Sequence, residues 1–202
     1  MYRKYGKRIW DIVLSGLVLP IVLPIFGIIC LWIKLDSKGP VFFKQTRFGI
    51  HRTQFEILKF RTMRIDAPHD VPTHLLSDPD RWITRAGKLL RRTSLDELPQ
   101  VFQVFTGKMS LVGPRPALWN ETDLVEAREA VGANDVLPGL TGLAQVNGRD
   151  ELSRSEKVRY DGVYASTVSL KTDIMVLWKT VSVVFSGHGM REGASDRGQN
   201  DK

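Results

Sequence analysis

Asp96 and Glu97 stand side by side in the run Thr93-Ser94-Leu95-Asp96-Glu97-Leu98-Pro99, shortly after Arg91 and Arg92. Neighbouring residues on a helix point about 100° apart, so such a pair does two jobs rather than sharing one proton. A carboxylate at a helix N-terminus and flanked by arginines stays ionised, as an aspartyl nucleophile requires. One group could then attack phosphorus while the other holds a metal. A purely structural account fits the same residues: Ser94 with Glu97 three positions on has the form of a capping box, and acidic residues favour the first turn of any helix. Pro99 argues for a kink or a later helix start, since a helix beginning at Ser94 would meet it in the second turn.

A second set of residues suits phosphate. Arginine offers a planar fork to phosphate oxygens, and Arg115, between Pro114 and Pro116, would lose little freedom on binding. Arg149 follows Asn147-Gly148 in a similar loop, and Lys59 and Arg61 bracket Phe60 in Lys59-Phe60-Arg61-Thr62-Met63. Each motif alone also reads as an ordinary stiff or tight turn.

These side chains need elements to carry them. From Arg81 to Phe105 the apolar spacing predicts a helix, with Leu98, Val101, Phe102 and Phe105 on one face. Val41 to Gln45 and Gln54 to Phe60 predict two strands around a loop from Phe48 to Arg52, a β-hairpin at the membrane surface. Asp66 to Asp80, rich in proline, histidine and aspartate, reads as a mobile, lid-like loop. Helices are expected over about 121–131 and 150–164, and Ile174 to Phe185 either lies in a membrane interface or forms a core helix. Residues after Gly187 read as a disordered tail, and no internal repeat is found.

Ile12 to Ile33 carries no charge over 22 positions and contains Pro20 and Pro24. About 20 apolar residues at roughly 1.5 Å each would cross a hydrocarbon core of about 30 Å. Two prolines four apart weaken one face of such a helix and predict a break between Leu19 and Ile25. Basic residues precede the run (Arg3, Lys4, Lys7, Arg8) and follow it (Lys34, Lys38, Lys44, Arg47, Arg52), and lysine and arginine favour the cytoplasmic side. A hairpin dipping into one leaflet satisfies both flanks, with Asp11 and Ser15 as candidates to satisfy freed backbone groups. A cleaved signal and a simple signal anchor are the alternatives.

The chain has 202 residues, 43% hydrophobic and 25% charged, with a formal net charge of +7, so its partners are expected to be anionic. Without zinc-finger spacing or a recognition helix, nucleic acid is not the expected partner. A lone Cys30 excludes a disulfide framework and points to a reducing compartment. A non-catalytic adaptor binding anionic lipid through the basic flanks is the competing reading.

Five motifs in order, KRIWD (7–11), KFRTM (59–63), SLDELPQ (94–100), MSLVGPRP (109–116) and PGLTGLAQVNGR (138–149), resemble the monotopic polyprenol-phosphate phosphoglycosyl transferases, the bacterial sugar transferases. The short length is similar to that of small members such as the bacillosamine-phosphate transferase. Pro24 matches the family's re-entrant Ser-Pro pair, whereas Leu23 replaces its serine. The resemblance implies a mainly helical α+β monotopic protein with an N-terminal re-entrant helix-break-helix (1–38), a short β-hairpin and interfacial amphipathic helices in a catalytic domain (39–187), and the tail (188–202). It implies attack by Asp96 on a UDP-sugar, release of UMP, and transfer of the sugar phosphate to undecaprenyl phosphate, the first membrane step of glycoconjugate synthesis. It further implies Mg²⁺ on Glu97, and phosphate or nucleotide held by Arg91 and Arg115 with Pro114, Arg149, Lys59 and Arg61 in support. The setting implied is membrane lipid at the cytoplasmic face of the bacterial inner membrane, and a homo-oligomer is compatible with it.

Overall fold

The charge-free run folds within one long helix, α1 (Lys7–Asp36), preceded by a π-helical stretch over Tyr2–Gly6. The structure is a computed structural model that describes residues 1–68 and 78–186, with the backbone alone at 79, 150 and 184–186. The expected tail and the part of the expected loop at 69–77 lie outside the described residues.

Helical structure continues through Pro20 and Pro24, so the break expected between Leu19 and Ile25 does not interrupt the helix. Each proline removes one donor, but in apolar surroundings the remaining peptide groups find no better partners than one another. Among the described residues this is the one helix long and apolar enough to cross a membrane, judged by length and composition. It is not a detached anchor. Asp11, Ser15, Val22, Ile29 and Ile33 form a buried stripe against the rest of the chain, while Leu17, Ile21, Ile28 and Leu31 are exposed.

Both ends of α1 dock on that same body. Near the start, Lys7 Nζ pairs with Asp173 at 2.8 Å, Arg8 donates to the carbonyls of Val104 and Phe105, and Asp11 Oδ1 accepts from the Leu111 amide at 3.0 Å. Near the end, Ile29 and Ile33 pack with Phe60, Ala86 and Leu90, and Asp36 accepts from the Ala86 amide at 3.0 Å.

The expected hairpin forms from β1 (Phe42–Phe48) and β2 (Gln54–Phe60), antiparallel with Phe42 opposite Phe60. A 3₁₀ turn at Ile50–Arg52, with His51 and Arg52 at positive φ, joins them. The rings of Phe26, Phe42 and Phe60 meet at centroid distances of 4.7 to 5.7 Å, which fixes α1 to the hairpin.

The single helix expected over 81–105 is divided. A 3₁₀ turn (Pro79–Arg81), α2 (Arg85–Arg92), a 3₁₀ turn (Leu95–Glu97) and α3 (Gln100–Thr106) replace it. The dividing residues are Ser94, in the left-handed region at φ 55°, and Pro99, which begins α3 where its missing donor costs nothing. α2 is capped from both neighbours, by Asp36 and by the Thr84 hydroxyl, which accepts from the Gly87 amide at 2.9 Å.

A parallel pair that the sequence did not suggest forms from β3 (Ser110–Val112) and β4 (Gly139–Thr141). The expected helices appear as α4 (Thr122–Glu129), α5 (Arg154–Ser166) and α6 (Leu170–Ser186). In α6 one face joins the core, with Val176 buried beside Tyr164 and Val112, while Ile174, Trp178 and Val181 are exposed. The molecule is thus mainly helical with two small sheets, an α+β architecture.

Candidate active site

Asp96 and Glu97 share the 3₁₀ turn that begins after Ser94. The capping box is not formed: Ser94 makes no side-chain cap, and the Glu97 carboxylate turns away toward two cations. Glu97 Oε1 accepts from Lys59 Nζ at 2.7 Å and from Arg115 Nη2 at 2.7 Å, while Oε2 meets Arg115 Nη1 at 3.5 Å. Lys59 reaches Asp96 Oδ2 at 3.9 Å, bridging the carboxylates from β2. The hairpin therefore supplies the lysine, the divided helix supplies the carboxylates, and the loop after β3 supplies the arginine.

The two acids are driven apart electrostatically. Burial alone would raise Glu97, but Arg115 and Lys59 overcome it and hold its carboxyl well below the usual carboxylate range. Asp96 moves the other way: burial raises it, Lys59 opposes, and the negative charge of Glu97 raises it further. Arg91 and Arg115 pull Asp96 down, as their position beside it suggests, but less than burial raises it, and one 3₁₀ turn adds little dipole. A more basic carboxylate, once ionised, is the better nucleophile.

Arg91, in the last turn of α2, donates from Nε to Thr62 Oγ1 at 2.8 Å and its charge is felt at Asp96. Thr62 is itself pressed against α2, for a Cβ at Gly87 would lie 2.7 Å from the Thr62 carbonyl carbon. Pro114 accepts the Gly139 amide at 2.9 Å, which ties the Arg115 loop to β4.

Two expected site residues lie elsewhere. The Arg61 guanidinium donates to the carbonyls of Ser37 and Lys38 and to Ser37 Oγ, clamping the link between α1 and β1. Arg149, at φ 53°, makes no hydrogen bond or ion pair with either carboxylate among the described residues. Conversely, Arg47, read only as part of a basic flank, donates from Nη1 to the Pro116 carbonyl at 3.0 Å. Burial and then the neighbouring Arg115 bring it down to about 10. A charged residue in a strand beginning with two phenylalanines was the available signal.

Three cations, Lys59, Arg91 and Arg115, thus gather around two carboxylates. A shallow cavity opens next to Arg115, lined in part by Phe48, Pro114, Pro116, Arg128 and Asn134.

A family model described as bacterial sugar transferase matches residues 2–187. The chain is 43% identical over 185 residues to the UDP-glucose:undecaprenyl-phosphate glucose-1-phosphate transferase of Caulobacter vibrioides, covering 87% of this chain and 68% of that protein. It is 41% identical over 182 residues to the Escherichia coli (strain K12) protein of the same name, covering 87% of this chain and 39% of that one. It is 38% identical over 188 residues to the sugar transferase EpsL of Bacillus subtilis (strain 168), covering 92% and 90%. The chain therefore spans about two fifths of the Escherichia coli relative's length but nine tenths of the Bacillus one.

Proposed function

Because the chain belongs to the bacterial sugar transferase family, we propose that it is an enzyme that moves a sugar 1-phosphate from a UDP-sugar to undecaprenyl phosphate, with Asp96 as covalent nucleophile. The observation that carries this reading is the split between adjacent acids: Glu97 is neutralised by Lys59 and Arg115, while Asp96 beside it is made more basic.

An Asp96 carboxylate oxygen attacks the β-phosphorus of the donor. The bond from that phosphorus to the oxygen bridging the two phosphates breaks, and UMP leaves with the electron pair. A phosphate oxygen of undecaprenyl phosphate then attacks the same phosphorus and expels Asp96, giving polyprenyl diphosphate sugar. Neither step requires proton removal from the attacking oxygen, which suits a site rich in arginine and lysine. Arg115 and Arg91 supply charge that holds the diphosphate in line.

Asp96 and Glu97 also fit a Mg²⁺ site. Two hard carboxylates stand together, Glu97 Oε2 has its nearest cation at 3.5 Å, and Mg²⁺ ordinarily takes one or two carboxylates and completes its shell with water and substrate phosphate. Glu97 would hold the ion, which when bound neutralises charge on the transferring phosphoryl group.

We place the protein on the cytoplasmic face of the bacterial inner membrane, at the first membrane step of glycoconjugate synthesis. Anchoring of both ends of α1 on one body supports a monotopic, re-entrant path, and the exposed stripe of Ile174, Trp178 and Val181 supports an interfacial position for α6. The names of the relatives make UDP-glucose the first donor to try. Detergent-solubilised protein with Mg²⁺, UDP-glucose and undecaprenyl phosphate should release UMP. Silence with every common UDP-sugar would overturn the proposal.

A further inference from the structure

Every carbonyl of the Pro114-Arg115-Pro116 turn is taken by a donor from a different element. The Gly139 amide of β4 donates to the Pro114 carbonyl at 2.9 Å. Arg128 Nη1, from α4, donates to the Arg115 carbonyl at 3.0 Å, and Arg47 Nη1, from β1, donates to the Pro116 carbonyl at 3.0 Å. The next carbonyl, of Ala117, accepts the Phe48 amide at 2.9 Å. Two prolines already fix φ on either side of Arg115, so the main chain under this side chain has almost no freedom left.

The two guanidinium donors are themselves held. Arg128 is 6% exposed and donates from Nε and Nη2 to Oδ2 of Asp161 at 2.9 and 2.6 Å, with Asp161 on α5 only 1% exposed. Arg47 Nη2 donates to Gln45 Oε1 at 2.7 Å. Burying Arg128 and half-burying Arg47 next to a third arginine costs desolvation and like-charge repulsion, and a neutral donor could hold a carbonyl more cheaply. The rigid planar fork explains the choice, since it can bind a fixed neighbour and the loop carbonyl at once.

We propose that Arg47 and Arg128 are positioning residues for the reaction, acting on the donor through Arg115 by locking the main chain beneath it. The inference rests on the reading of Arg115 as a phosphate-binding residue in sugar-phosphate transfer. Asp161 orients Arg128 and so belongs to the same support. A misplacement of about 1 Å in a positioned group can cost on the order of 100-fold in rate.

Arg47 gives the cleaner test, because removing one partner of the buried Arg128–Asp161 pair endangers folding. Arg47→Ala should raise the KM for UDP-glucose on the order of tenfold to 100-fold in the UMP-release assay, with kcat changed less and an unfolding midpoint close to that of the parent. Arg47→Lys, which keeps a donor within reach of the Pro116 carbonyl, should recover part of the loss. In an Arg115→Lys background, where the fork is already gone, the further change at 47 should cost less than about twofold, the signature of residues acting as one unit. An undiminished effect of Arg47→Ala in that background would mean that Arg47 touches the donor itself, and an unchanged KM in the single variant would mean that the clamp is only structural; either overturns the proposal. Absence of UMP release from the parent protein would instead sink the transferase reading on which it rests.

Discussion

Asp96 and Glu97 are separated by one peptide bond and by opposite environments, and this makes their substitution informative. Asp96→Asn keeps shape and removes charge, so it should abolish UMP release, by on the order of a thousandfold or more, with the unfolding midpoint retained. Near-parental turnover would remove Asp96 as nucleophile. The pH dependence follows from the same electrostatics. Burial and Glu97 raise Asp96, so as pH falls it takes up its proton above the ordinary aspartate value, and the acid limb of kcat/KM should lie above about 3.9. Lys59 opposes that shift; Lys59→Gln should therefore move the acid limb to still higher pH in whatever turnover remains. A limb that stays or moves down would show that Lys59 does not act on Asp96. At this scale the acids, Arg91, Arg115 and Lys59 could be read from residue type and spacing. Arg47 could not, because its role depends on a strand meeting a loop 69 residues away in sequence.

The elements that carry these groups were legible where local pattern decides and hidden where long-range contact decides. The hairpin and the last three helices follow from alternation and period. The division of 81–105 does not, because apolar spacing runs across it and the left-handed Ser94 leaves no trace in composition. The pairing of β3 with β4 joins two glycine- and proline-rich stretches that resemble turns, yet glycine is what lets them approach: a Cβ at Gly139 would lie 2.6 Å or less from backbone atoms of Gly113 and Thr141. Gly87 tests whether such close approach matters to the site. Alanine is favoured over glycine in a helix interior by about 1 kcal/mol, so on propensity alone Gly87→Ala in α2 would stabilise. The Thr62 backbone cannot yield as a side chain could, and overpacking of this kind costs about 1–3 kcal/mol. A lower unfolding midpoint together with reduced UMP release is expected, because α2 must move off Thr62 and carry Arg91 with it. A raised midpoint would show that the contact relaxes freely.

For the molecule as a whole, the question is how an apolar helix of this length relates to a membrane. At about 1.5 Å per residue its 30 residues reach roughly 45 Å, more than the roughly 30 Å hydrocarbon core needs. Length therefore permits a span, and the fastening of the ends opposes one. Lys7, Arg8 and Asp11 at the start and Ile33 and Asp36 at the end bind a single body, and a helix crossing the bilayer would have to release one set. The Lys7–Asp173 pair is buried and joined by Tyr2 and Tyr164 hydroxyls, so its release would strand a carboxylate away from water, at a cost of several kcal/mol. The basic flanks on both sides act in the same direction, since neither favours translocation. With Cys30 replaced by alanine, single cysteines at the exposed Arg3 and Lys44 should both react with a membrane-impermeant maleimide from the cytoplasmic side alone, while one at Ile21 is shielded from both sides. Arg3 and Lys44 labelled from opposite faces would mean that the docked ends come apart in the bilayer, and with them the alignment of Asp96 between a soluble nucleotide donor and a lipid acceptor.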